Sequence, residues 1–322
     1  MKKVWILLTV LLLALAGCTN NQNETNDKLS VITSLFPQYD FVREIGKDKV
    51  DVSLLLSPGV ESHAFDPTPS QIIAITQSDL FIYTNPEMEP WIDQIVENVK
   101  DDGTLILESS KGIQFIEGSH DHSEDEHDDE DHDDQNEQDE HDEDHLVDPH
   151  VWLDPLNAKI MVTNISNALI ELDPENEAFY TENTNAYLAK LDDLNDTFEE
   201  VFNESPNDTI IYGGHFAFGY LADRFDLTIL SPYTGFSPDA EPTANAISEL
   251  IKTIEEKNIK IIFFEELIEP RVANVIAEQT NTTPMLLHGA HNVTKQEMDS
   301  NITYIEIMHE NAEKLKEALN YE

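Results

Sequence analysis

The stretch VDVSLLLSPGVESHAFDPTPSQIIAITQ, residues 50–77, sets the fold class. From Val50 to Leu56 it alternates so that Val52, Leu54 and Leu56 share one face, the period of a strand. Ser57, Pro58 and Gly59 break that strand. Thr68 then offers a hydroxyl cap and Pro69 occupies the first helical position, where a missing N–H removes no bond, so Thr68–Gln77 reads as a helix. Strand, loop and helix make one βα unit, and the unit recurs on either side. Leu29–Ser34, Leu80–Thr84 and Thr104–Leu107 read as strands, and Phe36–Ile45 as a helix. Strands alternating with helices predict a parallel sheet with helical crossovers.

The second half repeats the pattern after two long helical stretches. Leu156–Leu172 is the first. The second runs from Pro174 to about Glu204 with Asp173 as its cap. A helix of about thirty residues spans about 45 Å, enough to run along two lobes. Thr209–Tyr212, Ile259–Phe264 and Pro284–Leu287 then read as strands. Phe216–Phe225, Ala244–Lys257, Pro270–Thr280 and Tyr304–Leu319 read as helices. The expected architecture is α/β: two (β/α)4-type lobes with mostly parallel sheets, joined by one long linking helix.

At the N-terminus, Lys2 and Lys3 precede an apolar run from Val4 to Ala16 that is too short to span a bilayer comfortably. Leu15-Ala16-Gly17-Cys18 resembles a bacterial lipobox, which implies cleavage before Cys18 and acyl (palmitate-type) lipidation of it. The alternative is an ordinary secretory signal with an incidental cysteine. Cys18 is the only cysteine, so no disulfide forms within the chain. The organisation that follows has a signal peptide at 1–17 and a lipid-anchored tether at 18–28. An N-terminal α/β lobe occupies 29–155, with a disordered His/acid-rich insertion at 117–147. A helical linker at 156–205 and a C-terminal α/β lobe at 206–322 complete it.

Within the insertion, 22 of the 26 residues from His120 to His145 are His, Asp or Glu. Such a run has almost nothing apolar to bury and cannot form a core. Its six histidines, His120, His122, His127, His132, His141 and His145, are half of the chain's twelve. Imidazole and carboxylate together are ligands for divalent cations, so the tract reads as a low-affinity metal loop, the alternative being a solvated acidic loop. The formal net charge of −47 argues against a nucleic-acid partner, because phosphate binding needs clustered Lys and Arg, and it favours cations.

Six histidines remain outside the tract. His63, His215, His288 and His291 follow breaks at predicted strand ends, where ligands of open α/β sheets collect. His150 lies between prolines in the segment DPHVWLDP, residues 148–155. His309 sits in the last helix with no such context and reads as surface. Glu265 and Glu266 end the strand Ile259–Phe264, either as acids that orient a ligand imidazole or as exposed helix-cap acids.

The segment PGVESHAFDPTP at 58–69, the surroundings of His150, and HFAFGY at 215–220 resemble the ligand motifs of the zinc-type solute-binding lipoproteins of metal ABC transporters. These are the high-affinity zinc uptake binding proteins of cluster A-I, bacterial solute-binding protein family 9. Asn157-Ala158-Lys159 and Asp173-Pro174-Glu175-Asn176 match too, and the resemblance runs in order from about residue 30 to 320. Many zinc members also carry a His/acid-rich loop just before the second motif. The resemblance implies a metal site in the cleft, with His63 and His150 from one lobe and His215 from the other. Three imidazoles suit tetrahedral Zn2+ at roughly 2.0–2.1 Å, whereas Mn2+ prefers more oxygen. The fourth position departs from the family's usual Asp, Glu or water: His291 is the expected ligand, with His288 as the alternative.

The function implied is capture of Zn2+ outside the cytoplasm and delivery to an ABC permease and its ATPase, by a monomer anchored to the cell membrane through Cys18. The alternatives are a Mn2+ receptor and a surface adhesin of the same family. A zinc hydrolase would need an open metal position and a base such as Glu61, and there is no His-Glu-x-x-His helix, so no enzyme is expected.

Overall fold

The computed structural model describes residues 28–60, 62, 65–99, 103–116, 147–214, 217–233 and 242–320. The N-terminal segment with Cys18, Glu61, the tract histidines, His63 and His215 lie outside the described residues.

The N-terminal lobe begins with β1 (Leu29–Thr33), α1 (Phe36–Gly46), β2 (Val50–Leu54) and α2 (Pro69–Thr76). It continues with β3 (Leu80–Tyr83), α3 (Ile92–Val99) and β4 (Leu105–Glu108). The strands form one parallel sheet in the order β2-β1-β3-β4. All four residues of β3, LFIY, are buried, as a parallel strand covered on both faces requires. Leu80 and Ile82 pack with Phe41, Ile45 and Ile165, while Phe81 and Tyr83 pack with Ile75, Ile92, Ile95 and Val99 on the opposite face. The expected cap of α2 is present: Thr68 Oγ1 accepts from Gln71 N–H, and Gln71 Oε1 accepts from Thr68 N–H.

Two helices lead to the second lobe, α4 (Pro155–Leu172) and the 28-residue α5 (Glu177–Glu204), about 42 Å long. Asp173 does not cap α5. Its carboxylate is taken by Asn176 Nδ2 and Tyr180 Oη, at 2.7 and 2.8 Å, and a short 3-10 turn at Pro174–Asn176 comes first. Tyr180, Tyr187, Leu191, Leu194, Phe198 and Val201 form the buried stripe of α5. Burial of each such side chain contributes about 1.5–3 kcal/mol.

The C-terminal lobe comprises β5 (Thr209–Ile211), α6 (Gly219–Phe225), β6 (Thr228–Leu230), α7 (Ala244–Lys257) and β7 (Ile261–Phe264). After these come α8 (Arg271–Thr280), β8 (Thr283–Leu286), α9 (Lys295–Asp299) and α10 (Tyr304–Ala318). Strands β5 and β6 pair in parallel, as do β7 and β8, and a parallel bridge from Tyr212 to Phe263 joins the two pairs. The order is therefore β6-β5-β7-β8, so among the described residues each lobe has four strands. Strand β6 is three residues long, too short to show a period, and it lies beyond the strands expected from the sequence.

The linking helix packs on α1 and α4 of one lobe and α10 of the other. Beneath this junction lies Asp40 of α1, fully buried. It accepts Tyr304 N–H at 2.9 Å, Tyr187 Oη at 3.2 Å and Arg43 at 2.5 Å. Burial pushes its carboxyl up to about 6, against the pull of Arg43. No helix of the described residues is long and apolar enough to cross a membrane.

Candidate metal centre

Within each parallel sheet the strands end on one side, and contacts across the lobes join the segment after β2 to that after β8, with those after β5 and β7 beside it. The loop after β2, which leads to His63, is stitched to the segment after β8. Asn292 Nδ2 donates to Ser57 O and Val60 O at 2.7 and 2.9 Å, and Gly59 N–H donates to Val293 O at 2.8 Å. Of the two glycines before His215, Gly213 is required by close approach to the Ala273 backbone, and Gly214 leaves room for the Glu265 side chain. A Cβ on Gly213 would stand 2.8 Å from Ala273 Cβ, and one on Gly214 2.7 Å from Glu265 Oε1. His63 and His215 themselves lie outside the described residues.

His150 is fully buried. Its backbone (φ −84°, ψ 45°) and the 2.9 Å bond from Val151 N–H to Pro149 O form an inverse γ-turn with His150 at its apex. Asp148 Oδ1 accepts the His150 backbone N–H at 2.9 Å and faces Nδ1 at 2.8 Å. A proton held on Nδ1 by the carboxylate puts the lone pair of the neutral ring on Nε2.

His291 is held in the same sense. Its Nδ1 lies 3.2 Å from Glu266 Oε1, and Glu266 Oε2 accepts Gly289 N–H at 2.6 Å. Glu266 is buried, so it is no exposed cap. Burial alone would raise its carboxyl. The His288 and His291 rings and the Gly289 N–H outweigh that and hold it well below the usual carboxylate range. The rings of His150 and His291 stand 5.0 Å apart, edge to face, and Trp152 packs against both, at 5.5 and 5.2 Å. The Trp152 indole N–H is bound to Gly289 O at 2.8 Å, so an apolar wall backs the pair.

His288 is also buried but is oriented differently. Its Nδ1 accepts the Ala290 N–H at 2.9 Å. In the neutral ring the proton then sits on Nε2, 3.8 Å from Glu297 Oε1, and that nitrogen offers no lone pair. Asn311 holds the His288 backbone at both ends, accepting its N–H at 2.9 Å and donating to its carbonyl at 2.7 Å. The left-handed residue of this turn is Ala290 (φ 57°), not Gly289. Glycine is needed at 289 for space, since a Cβ there would meet the His291 ring at 2.6 Å.

Among the described residues no three His, Asp or Glu side chains gather as a metal-holding group. The described part of the centre is the pair His150 and His291 with their carboxylates. Sequence reasoning passed over Asp148, although it stands in the quoted His150 segment, and over Asn292 and Asn311, which carry no local signal. His309 lies at the surface as expected, 4.0 Å from Asp193.

The family model described as zinc-uptake complex component A, periplasmic, matches residues 31–318. The chain is 36% identical over 312 residues to the high-affinity zinc uptake system protein ZnuA of Bacillus subtilis (strain 168), covering 95% of this chain and 94% of that protein. It is 28% identical over 330 residues to the zinc-binding lipoprotein AdcA of Streptococcus pneumoniae (strain ATCC BAA-255 / R6), covering all of this chain but only 62% of that one. The crystal structure of the metal-dependent lipoprotein YcdH from Bacillus subtilis superposes with a TM-score of 0.75 at 33% identity, over 91% of this chain and 100% of that one.

Proposed function

This chain belongs to the zinc-uptake component A family, whose members are solute-binding components of transport systems and not enzymes, and on that premise we propose that it captures Zn2+ outside the cytoplasm and delivers it to an ABC permease driven by an ATPase. The observation that carries this reading is the facing pair His150 and His291. Each ring has Nδ1 engaged by a buried carboxylate, the arrangement that orients zinc-ligating imidazoles. His63 and His215 complete a tetrahedral, nitrogen-rich set, which favours Zn2+ over Mn2+. The tautomer of His288 supports His291 as the fourth ligand. Four protein ligands close the coordination sphere, so the ion is held as cargo with no open position for a reacting water. Cys18 carries the lipid anchor, and the protein acts as a monomer on the extracytoplasmic face of the membrane.

The test is calorimetry on the full mature chain. The triple variant His63→Ala, His150→Ala, His215→Ala loses the tight zinc site, and unchanged affinity would sink the assignment. Deletion of residues 120–145 removes several weak sites and leaves the tight one. Competition between Zn2+ and Mn2+ at the same site separates the two cargoes.

A further inference from the structure

The buried carboxyl of Glu89 takes no part in the centre described above, and removing an acid from water without a cationic partner is costly. It lies just past the end of β3, where it collects donors. Its two oxygens accept Thr84 N–H at 3.1 and 3.2 Å, Asn85 N–H at 3.1 Å, Thr84 Oγ1 at 3.0 Å and Ser34 Oγ at 2.5 Å. Burial pushes the carboxyl up to about 7 in spite of these bonds. The result is a turn from Thr84 to Glu89 held by several bonds, and the side chain of Asn85 is the part of it that reaches the His150 segment.

The Asn85 amide has a single sensible orientation. Its Oδ1 accepts Met88 N–H at 2.8 Å, and a backbone N–H can only donate. Nδ2 must therefore point the other way, and there it donates to Pro149 O at 3.2 Å, 64 residues along the chain. Pro149 O is the same carbonyl that accepts Val151 N–H to close the γ-turn around His150. The amide thus pins the peptide on which the turn of His150 is built.

We propose that Asn85, held by the turn wound around Glu89, is a positioning residue for His150, fixing the Pro149–His150 peptide so that Nε2 faces the metal. This inference rests on the reading of His150 as a zinc ligand. Capping of the 84–88 turn needs only Oδ1; the donor half of the amide serves nothing but Pro149. A purely structural residue would change stability and leave the coordination sphere alone.

The experiment compares full-length Asn85→Asp with wild type and His150→Ala. Zinc affinity is read by chelator competition, and Co2+ replaces Zn2+ as a spectroscopic probe of tetrahedral geometry. Asn85→Asp retains the acceptor for Met88 N–H and turns an oxygen toward Pro149 O. It folds, binds zinc about tenfold more weakly, and gives an altered cobalt d–d spectrum. Wild-type affinity together with a wild-type cobalt spectrum overturns the proposal. If Asn85→Asp does not fold, Asn85→Ala is judged by the same two readouts. Retention of tight zinc by His150→Ala overturns the ligand reading itself. Loss of zinc in His150→Ala with none in the Asn85 variant overturns only the positioning role.

Discussion

The carboxylate that orients His150 stands two residues before it in the chain, whereas the one that orients His291 comes from the end of another strand, 25 residues away. The first arrangement is local. Asp148, Pro149 and His150 form one tight turn, and a single oxygen of Asp148 takes both the backbone N–H and Nδ1. The second exists only once β7 and β8 have paired, with Phe264 beside Leu286, so that Glu266 and the 288–291 turn emerge side by side. One half of the centre is thus built into a peptide and the other into a sheet. The two respond differently to substitution.

The largest effect separates His291 from its neighbour. Loss of one ligand from a four-ligand zinc site, whose total is about 10–16 kcal/mol, weakens binding by at least about a hundredfold. His291→Ala and His150→Ala fall in that class by chelator competition. His288→Ala loses less than about tenfold, because its Nδ1 is already bound by Ala290 N–H. Equal losses at 288 and 291 would break the tautomer argument.

Next come the carboxylates. Glu266 presents one oxygen to His291 and the other to Gly289 N–H, both donors, so an amide at this position must aim its NH2 at one of them. Glu266→Gln therefore moves toward the hundredfold end of the roughly 10–100-fold range for such partners. Asp148→Asn can serve both of its bonds with one oxygen and loses tenfold or less, about the lower limit of that range. The reverse ranking would erase the distinction between local and sheet-built support. Gly289→Ala then tests space alone. Its Cβ would press on the His291 ring, and a loss of about tenfold is expected, with the His150 side unaffected.

The smallest effect on zinc is none, and it belongs to Asp40→Asn. Asp40 supports the His150 segment only indirectly, through Tyr304, whose hydroxyl bonds Trp152 O. Its folded-state pKa is about 6, above the unfolded 3.8, so the folded protein holds the proton more tightly. The associated stability is fully present below pH 3.8 and is lost as pH rises through 6. Asp40→Asn does not titrate. Its unfolding free energy should gain on wild type by roughly 3 kcal/mol between pH 4 and 7 in denaturant melts, with unchanged zinc affinity. A pH-independent difference would remove Asp40 as the source.

Much of the fold was legible because its signals are periodic. The apolar β3 and the capped α2 lie where pattern and cap chemistry predict them, and the long α5 covers nearly the predicted span. Strand β6 and helices α3 and α9 were not among the predicted elements. β6 and α9 are only three and five residues long, whereas α3 carries Ile92, Ile95, Val96 and Val99 at helical spacing and was overlooked in a stretch of only eight residues. Asp173 looked like a cap because it precedes Pro174. In the fold its carboxylate instead accepts Tyr180 Oη and Asn176 Nδ2, and it caps no backbone N–H. The histidines were legible as residue types after strand ends. Their supports did not follow distance along the chain: the remote Glu266 was named from its place at a strand end, Asp148 was passed over beside its own histidine, and Asn85 and Asn311 carry no local signal.

Pattern and residue type along the chain were enough for the α/β class, the parallel strands and the long helix between two lobes, and they put histidines after strand ends. Those properties follow from hydrophobic period, cap chemistry and residue type, all of which act over a few neighbours. Packing alone distinguishes His288 from His291, by what each Nδ1 touches, and makes Glu266 a buried carboxylate rather than an exposed cap. A histidine's coordinating nitrogen is set by what its other nitrogen touches. Those partners, Ala290 N–H for one ring and a carboxylate from the adjacent strand for the other, are chosen by packing rather than by spacing along the chain.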